Sequence, residues 1–340
     1  MEPVLSLIVP VYNLQEDLES CLLSILPQMT PQVELLLVDD GSTDQSLAIC
    51  RRYESAYPNL RVFSQHNQGV SVARNVGLRR AQGKYVWFVD GDDLLPTGTL
   101  QMILKEIHDN PEVEILCGNC IKFWEGEPLP HVTPFSTENL QAFHRTHGRE
   151  SLLHLLKSGS FLPAAWAAIV KRELLEQHHI QFPPGWINNE DVDTALHYYL
   201  AAKNVRALSR PHYYYRQGRQ GAATSGFSLR RVEDSHRMIT AWLQRLRSEP
   251  LAPELAAYLK DYLAYQYAIA LGSSWLCSPE ERRMALALLY PHRELLKSAL
   301  TPKTKEVSRL YRCVGYRATA KALSLYIRRR RKQETKEEKS

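Results

Sequence analysis

Three short apolar runs, rich in β-branched and aromatic residues, predict buried strands in the first part of the chain. They are Val4–Val9, Leu35–Val38 and Tyr85–Val89, and each ends in polar residues typical of turns. Continuous apolar runs of this length are typical of strands covered on both faces. Apolar residues at helical spacing lie within Glu16–Leu26 and Ser46–Tyr57. The alternation predicts an α/β fold: a mostly parallel central sheet with right-handed crossovers and flanking helices.

The remainder of the chain has a different pattern. Residues 128–148 are rich in Pro, Thr, Ser and His with little periodicity, which predicts a mobile loop. Helical spacing resumes at Glu150, and Leu229–Leu300 is dense in Leu, Ala and Tyr at that spacing. We therefore expect four parts: an α/β domain over 1–225 with halves 1–100 and 101–225, a helical extension over 226–300, and a tail over 301–340.

The charge distribution separates the tail from the rest. The net charge is +5, but residues 303–340 carry thirteen Lys or Arg against four Glu, which is +9 and leaves −4 elsewhere. Apolar residues of the tail recur on one helical face: Val307, Leu310, Tyr311, Val314, Ala318, Ala322 and Leu325. This composition predicts an amphipathic helix on an anionic membrane surface. The alternative is a helix packed on the domain with a solvated end.

The location predicted from sequence is cytoplasmic, peripheral on the inner face of the membrane. No apolar run approaches the roughly 18 to 20 residues of a membrane span, and the first ten residues lack a signal-peptide pattern. The six cysteines lie scattered in apolar segments, which is typical of reduced, buried thiols. Cys117 and Cys120 alone resemble a CxxC pair, and a zinc or redox site there is the alternative.

Polar residues follow each of the three predicted strands. The segments are Pro10–Asn13, Asp39–Asp44 and Asp90–Asp93, and none is a dinucleotide-binding or P-loop motif. Ligands of such sheets bind beyond the carboxyl ends of the strands. Clustered carboxylates there favour a hard cation, Mn²⁺ or Mg²⁺, which neutralises a diphosphate. Taken separately, each segment is also typical of a tight or capped turn.

The segments SLIVPVYN, VDDGSTD and NQGVSVARNVGLRRAQGKYVWFVDGDD together resemble the donor half of family-2 glycosyltransferases with the GT-A fold. The resemblance covers about Ser6 to Asp93. It implies a UDP-sugar donor, with Tyr12 stacking on the base and Asp40 bonding its imide edge. It further implies donor contacts at Pro10, Arg74 and Asp90, and a metal ligand at Asp92 that Asp93 shares.

A candidate general base lies further along the chain. Asn188–Asp193 precedes the apolar helical stretch Ala195–Leu200, and an acidic first turn that complements the helix dipole explains it equally. The resemblance implies that Asp191 is the base, with Glu190 as the secondary candidate. A base of this kind deprotonates the acceptor hydroxyl for a single in-line displacement, which inverts the anomeric carbon.

The same resemblance suggests an acceptor side. Trp166 and Trp186 are candidates for stacking on sugar faces, although a Trp in an Ala-rich helical context is also typical of a core. Arg216 and Arg219 follow a YYY segment and are expected near the diphosphate, and His212 is a weaker candidate metal ligand. The QxxRW motif of processive members is absent. We expect transfer of one sugar, or few, to a glycan or lipid-linked saccharide in bacterial polysaccharide, lipopolysaccharide or capsule assembly.

Three rival functions remain. A nucleic-acid-binding module would use the basic tail, but the −4 balance elsewhere opposes a polyanion and no nucleic-acid-binding motif is found. A nucleotidyltransferase usually begins with a glycine-rich basic loop after its first strand, which this chain lacks. A catalytically silent sugar-nucleotide-binding protein stays open.

Overall fold

The computed structural model describes residues 2–124, 144–218 and 226–337. Contacts divide these residues into two compact units. The first unit comprises the described residues up to 152, then 162–185 and 190–217. The second comprises 153–161, 186–189 and the described residues from 218 onward. The loop predicted over 128–148 lies mostly outside the described residues.

The first unit contains the strands, and its main sheet is mixed but mostly parallel. Eight strands lie in the order β3-β2-β1-β4-β8-β5-β9-β7. Strands β1 to β4 run parallel to one another, while β8 is antiparallel to both β4 and β5. Strands β6 and β10 form a separate parallel pair. The bounds are β1 Leu5–Val11, β2 Val33–Asp39, β3 Leu60–Ser64, β4 Tyr85–Phe88, β5 Ile115–Cys117, β6 Cys120–Trp124, β7 His144–Thr146, β8 Ala168–Lys171, β9 Val205–Ala207 and β10 Tyr213–Gln217.

Helices flank this sheet and explain its apolar strands. Every residue of β1 and β2 is buried, which is why their sequences are runs rather than alternating patterns. The parallel strands β1, β2 and β4 therefore bring three polar loops to one edge of the sheet. The helices of this unit are α1 Leu18–Ile25, α2 Ser46–Ala56, α3 Val70–Arg80, α4 Thr99–Asp109, residues 148–152 of α5 Gly148–Ser158, α6 Arg172–Gln177 and α7 Glu190–Ala201.

The second unit is helical in its described residues. Its long helices are α8 Leu229–Ser248, α9 Pro253–Ser274, α10 Pro279–Leu289 and α11 Pro302–Glu337, with a 3-10 helix over Tyr290–Lys297. Helix α11 is broken at Gly315, where φ is 74° and ψ is −177°. The buried Asp261 of α9 accepts hydrogen bonds from Ser298, Thr301 and Thr304, which fixes the start of α11. None of the described helices is both long and apolar enough to cross a membrane.

Candidate active site

The loops that follow β1 and β2 are joined by side-chain hydrogen bonds. Asn13 Oδ1 accepts from the Thr43 amide at 2.8 Å, and the Asn13 amide donates to Ser42 Oγ at 3.1 Å. Asn13 adopts φ 52°, a left-handed conformation that asparagine tolerates better than most residues. The loop so held presents Tyr12 at the surface, where its side chain is 47% exposed. Pro10, the preceding candidate, is buried in β1.

Asp40 is buried and positions the loop before α3. Its Oδ1 accepts from Gln65 Nε2 at 2.7 Å and from the Gln68 amide at 2.9 Å, while Oδ2 accepts from the Gly69 amide at 2.8 Å. A carboxylate offers about four acceptor positions, so three of them serve the protein itself. The expected contact with a base stays a prediction, and the structure adds a positioning role that the sequence did not indicate.

Arg74, on α3, joins the end of β4 to the start of α7. Its Nη2 donates to Asp90 Oδ1 at 3.0 Å and its Nη1 to Glu190 Oε1 at 3.2 Å. The guanidinium is buried, with its carbon 5.1 Å from the centre of the Phe182 ring. Neighbouring Asn75 fixes Phe182 by bonding both its carbonyl and its amide. A single buried cation thus holds one acid from each of the two acidic motifs.

In the acidic segment after β4, Asp93 is held by hydrogen bonds from β10. Asp93 is 1% exposed; its Oδ2 accepts from the Tyr213 hydroxyl at 2.8 Å and its Oδ1 from the Arg216 amide at 2.7 Å. Tyr213 in turn accepts from the Asp90 amide at 3.0 Å. Burial, followed by the charges of Asp90 and Asp92, raises the pKa of Asp93 well above its ordinary value. Buried and bonded on both oxygens, Asp93 supports the acidic segment from inside the protein, and its expected share in a metal site stays a prediction.

The half-buried Asp92 fits a divalent cation better. Mg²⁺ is usually held by one or two carboxylates, with the remaining ligands from substrate phosphates and water. No group of three His, Cys, Asp or Glu side chains suited to a metal ion occurs within residues 2–124, 144–218 and 226–337. The role of Asp92 as a ligand of a diphosphate-bound ion therefore stays a prediction. Cys117 and Cys120 are buried free thiols whose pKa values burial raises to about 11, which disfavours the thiolates that zinc requires.

Asp191 lies at the start of α7 and is half-buried. Burial raises its pKa to about 7; the charge of Glu190 adds to the rise, and Arg74 partly offsets it. The Val192 amide donates to Asp191 Oδ1 at 2.7 Å and fixes the carboxylate. A carboxylate with a pKa near neutrality has the properties that a general base needs.

Arg216 braces the acidic segment from the backbone side. Its Nε donates to the Asp92 carbonyl at 2.7 Å and lies 3.6 Å from Asp17 Oδ1. Its guanidinium carbon is 5.0 Å from the centre of the Phe123 ring, and the side chain is 7% exposed. In this conformation Arg216 supports Asp92, which differs from the expected approach to a diphosphate. Arg219 lies outside the described residues.

The structure separates the two tryptophan candidates. Trp166 is 3% exposed and stacks on Tyr213, with ring centres 4.4 Å apart. This core position does not fit stacking on a sugar and agrees with the packing alternative. Trp186 is half-buried and belongs to the second unit. His212 is fully buried, and burial lowers its pKa to about 4.

Sequence reasoning missed Tyr213, which links Asp90 and Asp93 through its hydroxyl. Three consecutive tyrosines occur there, and only the register of β10 determines which of them faces the acidic segment. Gln65 and Gln68 were also missed, because glutamines in a loop carry no local signal for a buried partner such as Asp40.

Comparison with known proteins identifies the family. Residues 6–178, just over half of the 340-residue chain, match Glycosyl transferase family 2. The chain is similar to the uncharacterized glycosyltransferase EpsJ of Bacillus subtilis, with 31% identity over 217 residues, 64% of this chain and 62% of EpsJ. The match therefore spans less than two thirds of that relative's length.

Two solved structures resemble the fold at low sequence identity. Residues 1–349 of S. aureus TarS, in complex with UDP-GlcNAc, match with a TM-score of 0.69 and 22% identity, over 96% of this chain and 92% of that chain. The mannosyltransferase PcManGT of Pyrobaculum calidifontis, in complex with GDP-Man and Mn²⁺, matches with a TM-score of 0.56 and 21% identity, over 96% and 87%. These likenesses confirm the expected GT-A fold. Together with the family match they lead to one conclusion: the chain belongs to glycosyl transferase family 2.

Proposed function

We propose that this protein is an inverting glycosyltransferase that moves one sugar from a UDP-sugar to a hydroxyl of a glycan or lipid-linked saccharide. The proposed setting is the cytoplasm of a bacterium, in surface-polysaccharide, lipopolysaccharide or capsule assembly. The observation that carries the proposal is the shared buried Arg74, which bonds Asp90 of the acidic segment and Glu190 beside Asp191. A silent sugar-nucleotide-binding protein has no need for a carboxylate with a pKa raised to about 7 next to that pair.

The donor half supplies the binding groups. The exposed ring of Tyr12 offers a face for a nucleotide base, and the remaining acceptor capacity of Asp40 suits an imide N–H. Asp92 would hold Mn²⁺ or Mg²⁺, which when bound neutralises charge on the departing diphosphate. The TarS match is a complex with UDP-GlcNAc and the PcManGT match a complex with GDP-Man, so base preference is the first property to measure.

The chemistry we infer is a single displacement. Asp191 accepts the proton of the acceptor hydroxyl while that oxygen forms a bond to the anomeric carbon. The bond between the anomeric carbon and the diphosphate oxygen breaks on the opposite face, and the electron pair leaves with UDP. The charges of Glu190 and Arg74 adjust the proton affinity of Asp191, and the Val192 amide holds its carboxylate. General base catalysis of this kind contributes roughly 10² to 10⁴ in rate.

The test is calorimetric titration of the full chain with UDP, GDP and CDP, each with Mn²⁺ and with EDTA. Selective UDP binding that requires Mn²⁺ and is lost in Asp92→Asn supports the donor assignment. Asp109→Asn is a matched control, because Asp109 is a surface acid on α4 paired with Lys105. Equal binding of the three nucleotides would overturn the uridine assignment.

Transfer itself needs a second measurement. UDP-sugars are screened with simple glycan acceptors, UDP release is followed, and the anomeric configuration of the product is determined by NMR. Inverted product supports the mechanism, whereas retained configuration contradicts it. Tight donor binding without turnover on any acceptor or water would favour the silent sugar-nucleotide-binding protein instead.

A further inference from the structure

The part of α11 that follows Gly315 exposes an apolar and basic face. Leu325 is 49% exposed and Tyr326 63% exposed, and the basic residues around them are exposed as well. At about 100° per residue, Arg317, Lys321, Leu325 and Arg328 lie within about 80° of the helix circumference, and Arg329 and Tyr326 widen the exposed face to about half of it. We call this surface the tail face; it consists of Arg317, Lys321, Leu325, Arg328, Arg329 and Tyr326.

A different set of residues attaches the helix to its own unit. Thr319, Ala320 and Ser324 are buried, and Leu323 and Ile327 lie against α9. A Cβ built on Gly272 of α9 would come within 2.8 Å of Ile327 and 2.9 Å of Leu323, so the two helices approach closely there. The contact leaves the large apolar side chains of the tail face unused. Packing within the unit therefore does not explain why Leu325 and Tyr326 are apolar.

The charge around this face has one sign. No Asp or Glu occurs between Glu306 and Glu334. The same stretch contains nine Lys or Arg, which include the four of the tail face as well as Arg331 and Lys332. Exposed cations that flank exposed apolar groups complement an anionic bilayer, where the cations meet headgroups and the apolar groups enter the interface. Nucleic acid would satisfy the cations but would leave Leu325 without a partner.

We propose that the tail face docks on a membrane surface of anionic lipids, with the helix lying in the interface plane. Leu325 and Tyr326 enter the headgroup region, and Arg317, Lys321, Arg328 and Arg329 bind lipid phosphates. The inference concerns where the protein resides, and it holds or fails independently of the sugar-transfer chemistry.

The test is co-sedimentation of the full chain with vesicles of phosphatidylcholine alone and of phosphatidylcholine with about one third phosphatidylglycerol. The protein should partition onto the anionic vesicles only, and more weakly at high salt. Arg317→Gln, Arg328→Gln and Arg329→Gln combined should weaken binding about 100-fold, since each basic residue contributes about 1 kcal/mol. Leu325→Gln with Tyr326→Gln should weaken binding severalfold, with the loss persisting at high salt.

Matched controls come from the same unit. Arg247→Gln, Lys260→Gln and Arg283→Gln together remove the same charge from exposed positions outside α11, and Met284→Gln removes an exposed apolar side chain. These variants should bind as the unaltered protein does. Failure of the unaltered protein to bind anionic vesicles, or an equal loss in the controls, would overturn the proposal. Tight binding to an RNA oligonucleotide would also overturn it, if the Leu325→Gln and Tyr326→Gln changes weaken neither the RNA binding nor the vesicle binding.

Discussion

The first unit has two acid pairs, Asp92 with Asp93 and Glu190 with Asp191. They differ in which member, the first or the second, is held by other residues. In the first pair the second acid is pinned, because Tyr213 and the Arg216 amide take both oxygens of Asp93. In the second pair the first acid is pinned, because Arg74 bonds Glu190. Each pair thus has one member held by the contacts described above and one member that we propose for chemistry. Adjacent acids in a motif are therefore not interchangeable, and their roles follow from which neighbour holds them.

The largest effect is expected from a change at Asp191, the proposed base. Asp191→Asn should lower kcat by about 10³, because it removes the base while keeping the shape. Its UDP affinity should change far less than kcat, and its stability at neutral pH should not fall, since a buried carboxylate with a raised pKa disfavours the folded state there. Steady-state kinetics and calorimetry measure the two quantities. Asp193→Asn, on the same first turn, is the control, and full activity of Asp191→Asn would refute the base assignment.

A change at Asp92, the proposed metal ligand, should affect binding instead. Asp92→Asn should weaken Mn²⁺-dependent UDP binding by at least about tenfold, the lower limit seen for changes that only surround a metal ligand. Any residual binding measured in EDTA should be the same as in the unaltered protein, because the base contacts expected at Tyr12 and Asp40 remain. Calorimetry with and without Mn²⁺ distinguishes these cases. Unaltered metal dependence would mean that the ion is held elsewhere.

A change at the buried Asp93 should mainly affect stability. Asp93→Asn replaces an acceptor by an amide that cannot accept from both Tyr213 and Arg216, so one buried donor loses its partner. We expect a loss of about 1 to 3 kcal/mol in the free energy of unfolding. Urea denaturation measures it, with Asp109→Asn as a surface control within about 0.5 kcal/mol. An unchanged unfolding midpoint with lost Mn²⁺ binding would reverse the roles of Asp92 and Asp93.

The smallest effect is expected from a change at Glu190, which is bonded to Arg74. Activity needs the Asp191 carboxylate, so it should be present above a pH of about 7 and lost as the pH falls through that value. Glu190→Gln removes a charge that raises the pKa of Asp191, and the acidic limb of the kcat profile should move to lower pH. Asp193→Asn should leave the limb in place. A shift to higher pH in Glu190→Gln would contradict the assigned interaction.

The sequence predicted the part of the fold that depends on local order. The strands at Leu5–Val11 and Val33–Asp39 and the helix at Ser46–Ala56 lie within two residues of their predicted bounds. Asp44 accepts from the amide of Ser46, the first residue of this helix. These features depend on periodicity and turn chemistry that a few neighbouring residues determine.

Long-range pairing could not be predicted in the same way. Strand β8, Ala168–Lys171, inserts between β4 and β5 in antiparallel orientation, and no local pattern identifies its partners. The same limit applies to the site. Motifs identified Asp40, Asp93 and Trp166, but their burial and partners depend on residues up to 123 positions away along the chain. The domain bounds expected from the sequence and the acceptor-side role of Trp186 stay predictions.

The shared guanidinium of Arg74 makes the two acid motifs thermodynamically linked. In the proposed enzyme, a donor that draws Asp90 away from Arg74 leaves more of that positive charge to Asp191, which lowers the affinity of Asp191 for a proton. Linkage is reciprocal, so protonation of Asp191 must then alter donor affinity by the same factor. Donor affinity and proton affinity are then two measures of one coupling free energy, with Arg74 as the residue through which it passes.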